Sequence, residues 1–261
     1  MKICTFNVNS IRARVDLLVK WLEKRGNDLD LLCLQELKGQ EKDFPLAPFQ
    51  ELGYNNVEIY GQPRYNGVAL CSKNKLDDVQ KGFQEPSWDG EKRLISCQVK
   101  DIKVINLYFP HGDLRGSEKY HYKLEWYDFF LKYLQENHSP QESMVLAGDF
   151  NVTLEDRDVY DPELLKDSIG TMPEEREALQ KIIDWGLVDA FRYCYPHQEA
   201  FTWWSYLGGG IWKNQGMRID YIFCTRPLLD RLVDVEVDIW PRRRRKPTPS
   251  DHAPLVAFFR D

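Results

Sequence analysis

The run Met144-Val-Leu-Ala-Gly-Asp-Phe-Asn151 carries an unbroken apolar strand straight into a glycine, an aspartate and an asparagine. A strand without polar alternation is buried on both faces, so other layers must cover it, and its polar tip falls where the backbone meets solvent. In layered α/β proteins functional groups collect at such ends. Gly148 offers a tight turn, Asp149 can ligate a metal or accept a proton, and Asn151 can serve an oxyanion with donors and acceptors. Alone, Gly-Asp-x-Asn is an ordinary turn sequence. What gives it weight is recurrence of the same strand-plus-tip pattern along the chain.

The pattern predicts a strand over 2–8, then a helix capped by Ser10, with Ile11, Val15, Leu18, Val19 and Leu22 at helical spacing and Gly26 as its stop. Strands follow over 29–34, 57–60, 67–72, 93–99 and 102–108, separated by Asn-Gly, Asp-Gly and Lys-Asp turns. A long helix over 118–136 buries Tyr120, Leu124, Tyr127, Leu131 and Leu134 on one stripe and leads to the strand ending at Asp149. Thr171 caps a second helix, with Pro173 in its first turn, Glu174 completing a capping box and Gly186 closing it. Strands over 219–225, 233–239 and 253–259 complete the order. This is the order of an α/β protein with two mixed sheets face to face and helices outside both, four layers in a single domain over 1–261.

Composition narrows the function class. With 43% hydrophobic and 29% charged residues the chain reads as globular rather than disordered, and it has no apolar run of membrane-spanning length, so a cytoplasmic protein without a membrane partner is expected. Cys4, Cys33, Cys71, Cys97 and Cys224 sit inside apolar runs with no Cys-x-x-Cys spacing, as small core residues do. The net charge of -6 argues against a generally basic nucleic-acid coat. Net charge does not set local potential, however, because a carboxylate cluster that binds divalent cations inflates the formal negative count. Arg242 to Lys246 form a basic run that reads as a solvated loop or as a phosphate contact.

Polar residues stand at one strand end after another: Asn7 and Asn9, Glu36, Tyr108, Asp149 and Asn151, then Asp220, and finally Asp251 and His252 before the last strand. Each alone has a bland reading, such as a solvated charge for Glu36 or a partner for Arg218 in the case of Asp220. Converged, they suit one chemistry. Oxygen donors from Glu36 with Asn9 or Asp251 fit a hard cation such as Mg²⁺, while one histidine is too few for a zinc site of the usual kind. Water attack on a phosphodiester needs a base, donors to the developing oxyanion and help for the leaving oxygen, and the set holds all three.

Phe6-Asn-Val-Asn-Ser-Ile-Arg-Ala13, Leu34-Gln-Glu-Leu-Lys38, Tyr65-Asn-Gly-Val-Ala69, Asn106-Leu-Tyr-Phe-Pro110, Gly148-Asp-Phe-Asn151, Trp185-Gly-Leu-Val-Asp189, Arg218-Ile-Asp220 and Pro249-Ser-Asp-His-Ala-Pro254 together resemble the ordered motifs of the exonuclease III-type apurinic/apyrimidinic endonucleases. These belong to the endonuclease/exonuclease/phosphatase superfamily, with the four-layered α/β sandwich of deoxyribonuclease I. The resemblance covers nearly the whole chain. It implies a monomeric enzyme acting on duplex DNA with abasic sites or blocked 3′ ends, with Mg²⁺ as cofactor and Mn²⁺ able to substitute. It also implies roles. Glu36 ligates the metal with Asn9 and Asp251 near it, and Asp149 and Asn151 border the same site; many relatives have aspartate where Asn9 stands. Asp149 orients or deprotonates the attacking water with Asn151 and Asn7. His252, held by Asp220, contacts the scissile phosphate, and Tyr108 donates to the phosphate or assists the leaving group.

For the damaged strand the resemblance points to an apolar slot walled by Trp203, Met217 and Ile219, too tight for a nucleotide that keeps its base. Trp204 and Tyr206 read as core. Leu207 to Trp212 matches a loop that enters the DNA groove, with Leu207 and Trp212 at its tips. Arg12, Lys38 and Arg115 are the expected phosphate contacts. Two other readings remain open: a phosphoesterase acting on an inositol phosphate or sphingomyelin with the same carboxylates, and a nucleic-acid-binding regulator without catalysis.

Overall fold

The computed structural model describes residues 1–260. Strand β1 (Lys2–Asn7) leads into helix α1 (Ile11–Lys24), β2 (Leu31–Gln35) and a short helix α2 (Leu46–Glu51). Then come β3 (Asn56–Tyr60), β4 (Val68–Ser72), β5 (Asp77–Lys81), α3 (Pro86–Asp89), β6 (Leu94–Val99) and β7 (Ile102–Tyr108). The long helix α4 (Glu118–Asn137) delivers the chain to β8 (Met144–Asp149), followed by α5 (Pro173–Asp184), β9 (Leu187–Asp189) and α6 (Ala190–Cys194). The two-residue strands β10 (Trp203–Trp204) and β11 (Gly216–Met217) precede β12 (Asp220–Thr225), α7 (Arg226–Leu229), β13 (Leu232–Val237) and β14 (Leu255–Phe259).

Two six-stranded sheets form, in the orders β13-β14-β1-β2-β4-β3 and β5-β6-β7-β8-β12-β9. Period-2 alternation then sorts side chains into layers. On β1, Ile3 enters the core between the sheets, whereas Cys4 and Phe6 pack under α1 with Leu18, Trp21 and Leu22. On β7, Val104 and Tyr108 face the inter-sheet core, whereas Ile105 and Leu107 meet α4 and α5. The result is helix, sheet, sheet, helix. The two sheets are also stitched by polar atoms: Gln35 Nε2 donates to Asn106 Oδ1 at 2.7 Å, and Asn106 Nδ2 donates to the carbonyls of Leu34 and Ala69.

Register decides where chemistry can happen. β7 and β8 run parallel with Tyr108 opposite Asp149, and β8 and β12 run antiparallel with Asp149 opposite Asp220. Three polar residues thus share one row at one end of the second sheet. In the first sheet Asn7 lies opposite Gln35, which puts Glu36 one residue further at the same end.

Several local expectations need correction. Ser10 stands before α1 but its side chain caps nothing; the helix entry is held instead by the backbone bonds of Ser10 to Glu36 and Ile11 to Leu37. The N-cap of α5 is Met172 rather than Thr171, and its acid partner is Glu175 rather than Glu174. Thr171 is occupied elsewhere, its hydroxyl donating to Leu165 and Ser168 carbonyls. The buried stripe of α4 runs through Tyr120, Lys123, Trp126, Tyr127, Phe130, Tyr133 and Leu134, with Leu124 and Leu131 only partly covered, because the aromatic rings rather than the leucines fill the space under the sheet. Gly148 lies inside β8 and makes no turn: a Cβ there would sit 2.0 Å from the Leu107 carbonyl oxygen, so the glycine serves close approach of β7. The polar edge strand β5 carries too little apolar signal to be seen in the sequence.

Candidate active site

At the shared end of the two sheets, the tips of β1, β2, β7, β8 and β12 and the segment before β14 converge. Asn7 is fully buried between two carboxylates, and its Nδ2 donates to Glu36 Oε1 at 2.9 Å and to Asp149 Oδ2 at 2.8 Å. The other oxygen of Asp149 accepts the Asn151 backbone N–H at 2.9 Å. His252 Nδ1 lies 2.8 Å from Asp220 Oδ2, and its Nε2 faces Asp149 Oδ2 at 3.7 Å. Ser250 ties the segment down, donating to the Asn7 carbonyl and accepting the His252 N–H. Asn9, Glu36, Lys38 and Asn151 all adopt positive φ, a conformation costly for residues with side chains.

Beside this buried group lies a second, wetter one. Asn9 Nδ2 donates to Asp251 Oδ1 at 2.8 Å, and Trp203 Nε1 donates to Asp251 Oδ2 at 3.0 Å. Lys38 is turned inward, its Nζ 2.6 Å from Asn9 Oδ1 and 2.8 Å from Glu36 Oε2, so the expected phosphate contact is engaged with the acidic cluster.

The carboxylates of the site titrate in opposite directions. Burial disfavours ionisation of Glu36, but the Lys38 ammonium and the Asn7 donor outweigh it and hold the carboxyl below its usual range. Asp251 behaves alike, burial being overcome by His252, Asn9 and Trp203. Asp149 goes up, because burial and the nearby Asp220 and Glu36 charges exceed what His252 and Asn7 return. His252 goes up despite burial, since Asp220 and Asp149 flank it. Tyr108 is driven well above its usual range by burial, then by Glu36 and Asp149, so its hydroxyl stays a donor.

Do these residues fit a metal? Glu36, Asp149 and His252 each offer an atom, all within 4.8 Å of one another. His252 is committed through Nδ1 to Asp220 and its affinity for a proton is raised, which favours the oxygen donors of Glu36, Asp149, Asp251 and Asn9. That donor set suits a hard divalent cation, and it already gathers one cationic group in Lys38.

A cavity of about 180 Å³ opens onto this site, lined by Glu36, Asn151, Asp251 and His252 on its polar side and by Trp203, Met217, Ile219 and Ile169 on its apolar side. His111 and Gly170 complete the lining, and neither was legible in the sequence. His111 falls one residue past the Asn106 to Pro110 motif, while Ile169-Gly170 carries no polar signature. A larger groove of about 570 Å³ shares His111, Ile169, Trp203 and Met217 and extends to Leu114, Arg115 and Leu207. Leu207 and Trp212 stand out at 84% and 59% exposed. Trp204 is buried as expected, whereas Tyr206 is 45% exposed, its hydroxyl bridging Arg14 and the Pro249 carbonyl. Arg12 is exposed on the first turn of α1, but Arg115 is paired with Asp167 at 2.7 Å and Glu174 at 2.9 Å. In the basic run Arg242 is structural, donating to the carbonyls of Trp204 and Asp251.

The sequence matches the endonuclease/exonuclease/phosphatase family over residues 4–252. It is 35% identical to an exodeoxyribonuclease III of Haemophilus influenzae over 100% of both chains. Among solved structures, an AP endonuclease from Archaeoglobus fulgidus superposes with a TM-score of 0.94 at 41% identity, covering 100% of each chain. A 3′ phosphatase from Neisseria bound to a product DNA hairpin superposes with a TM-score of 0.92 at 35% identity, again over 100% of each. The chain thus belongs to the endonuclease/exonuclease/phosphatase family, in its branch of exonuclease III-type nucleases.

Proposed function

We propose that this chain is a DNA-repair nuclease that hydrolyses the phosphodiester 5′ to an abasic site in duplex DNA, and that it also removes 3′-phosphates and trims 3′ ends as an exonuclease. The observation that carries this reading is the juxtaposition of a small slot, apolar on one wall, with the Asp149, Asp220 and His252 group. A sugar without its base can enter such a slot, whereas an intact nucleotide must unstack and then overfill it. The names of the similar proteins agree with it: an exodeoxyribonuclease, an AP endonuclease and a DNA-bound 3′ phosphatase.

In this reading Asp149 takes the proton of the attacking water. Both its oxygens are anchored, by Asn7 and by the Asn151 N–H, so the carboxylate is held in one orientation, and its raised affinity for a proton suits a base working near neutrality. His252, fixed through Nδ1 by Asp220, turns Nε2 toward the reacting phosphate as a cationic donor. Tyr108 is the second donor, to the phosphate or the leaving oxygen. Glu36, with Asp251, Asn9 and the rim formed by Asp149 and Asn151, would hold Mg²⁺ or, in its stead, Mn²⁺; the ion supplies positive charge against the developing oxyanion. Arg12, Lys38 and Arg115 contact phosphates, the last two after exchanging their present carboxylate partners, and Leu207 and Trp212 press into the groove. The protein acts as a monomer in the cytoplasm.

The test is incubation of the purified protein with a duplex carrying one abasic analogue, with Mg²⁺ and with EDTA. Metal-dependent incision 5′ to the lesion, much faster than cleavage of the undamaged duplex, is expected. Equal cutting of both duplexes, or no cutting, overturns the reading.

A further inference from the structure

The most deeply buried ion pair in the second sheet's helical layer is Lys123 with Glu175, Nζ to Oε1 at 2.6 Å, both side chains 0% exposed. Burying two charges is costly, and a pair of this kind is a weak device for stability alone. Its partners suggest another use. The Lys123 ammonium also donates to the Asn151 carbonyl at 2.9 Å and the His111 carbonyl at 3.1 Å. The second carboxylate oxygen of Glu175 accepts the Gly170 N–H at 2.7 Å and the Met172 N–H at 3.3 Å. The Gly170 carbonyl in turn accepts from the Thr153 N–H at 2.8 Å.

Three loops are therefore clamped to one pair: the tail of β7 through His111, the tail of β8 through Asn151, and the loop before α5 through Gly170. One of the anchored residues, Asn151, sits at positive φ, 54°, a conformation costly for a residue with a side chain, whereas Gly170 at 84° adopts it freely. Gly170, His111 and Asn151 all line the 180 Å³ cavity together with Trp203, Met217 and Ile219, and Asn151 also anchors Asp149. None of these bonds touches the reacting atoms. Together they fix one wall of the slot and one support of the base.

We infer that Lys123 and Glu175 are a positioning pair, holding the Asn151, His111 and Gly170 backbones so that the slot and the Asp149 carboxylate keep the geometry needed for the reaction. This deepens the reading of the site as one that accepts a base-free sugar, and rests on it. A displacement of about 1 Å at a reacting group costs on the order of 10²-fold in rate, so small backbone shifts suffice.

The test separates positioning from stability by using charge balance. Lys123→Met leaves the Glu175 charge buried without its ammonium partner and should lower both Tm and activity. The double variant Lys123→Met with Glu175→Gln removes the unpaired charge and should recover part of the Tm. It cannot restore the bonds to the Asn151 and His111 carbonyls, so kcat for abasic incision should stay depressed by about 10- to 100-fold. Recovery of activity along with Tm in the double variant overturns the inference, as does wild-type kcat in a folded Lys123→Met protein. If the native enzyme instead fails on abasic duplex but cleaves another phosphate ester, the functional reading falls by itself, and the same comparison of Tm with kcat on that ester judges the pair.

Discussion

Two oxygen-rich groups share this site, built from the same residue types yet pushed in opposite directions. Glu36 and Asp251 keep cationic or N–H partners, Lys38 for one and Asn9 and Trp203 for the other, and are held ionised. Asp149, 1% exposed, has N–H partners too, but burial and the Asp220 and Glu36 charges outweigh them and His252, and its proton affinity rises. A carboxylate that stays charged suits a cation, and one poised nearer neutrality suits proton transfer; environments that drive like groups apart mark out acid, base and ligand. Asn7 is the hinge between the groups, donating to Glu36 and Asp149 at once.

The largest expected effect comes from breaking the proton-transfer side. Asp149→Asn keeps shape and one anchor but removes basicity, so kcat should fall by ~10²–10⁴ while duplex binding persists. Near-normal turnover in rapid-quench incision assays would take Asp149 out of this role. Next is the cation side. Glu36→Gln should lower the rate by about 10² and raise the metal concentration needed for half-maximal activity, whereas Asp149→Asn should change mainly the rate. If the metal requirement is unaltered in Glu36→Gln, the division between the two groups is wrong.

The pH profile sharpens the comparison further. Asp149 must be ionised to act as a base, and its affinity is raised, so the rate should fall as pH drops through a value well above the ordinary carboxylate range. His252 must be protonated, and its affinity is also raised, so the rate should fall again only as pH rises well past the ordinary imidazole range. Asp220 raises both. Asp220→Asn should therefore move both limbs of the kcat profile to lower pH, as macroscopic values of a coupled pair. Limbs that stay in place, or move up, would show that Asp220 only orients the ring.

How much of this was legible beforehand follows from what a sequence displays. Strand tips are visible because apolar runs end abruptly, and that placed Asn7, Glu36, Tyr108, Asp149 and Asp220 at strand ends before any register was known. Partnerships across the fold were not. Asp220 next to Arg218 suggests a local pair, yet Arg218 reaches Asp158 at 2.8 and 3.0 Å and Asp189 at 2.7 Å, freeing Asp220 for His252. Lys38 and Arg115 look like phosphate contacts because charge near a motif has no visible partner in one dimension; both have carboxylates in three. Gly170 and His111 were missed because they serve through backbone position, which leaves no residue signature.

The smallest effect tests a link that only the structure reveals. From the sequence Trp203 is a slot wall, and truncating it should weaken abasic incision through lost packing alone. Its indole N–H also donates to Asp251, so the ring joins the slot to the cation-facing group. Trp203→Ala would remove both functions together. Trp203→Phe keeps an aromatic wall and removes the donor that fixes Asp251 Oδ2 in place. A neutral hydrogen bond of this kind contributes about 1 kcal/mol, with more when its acceptor is charged, so the metal concentration for half-maximal rate should rise by roughly 5-fold. The ratio of abasic incision to 3′-phosphate removal should change little. Both are read from metal titrations on matched duplexes carrying either lesion. A shifted ratio with an unshifted metal requirement would make Trp203 a wall and nothing more, and Asp251 would then owe its orientation to Asn9.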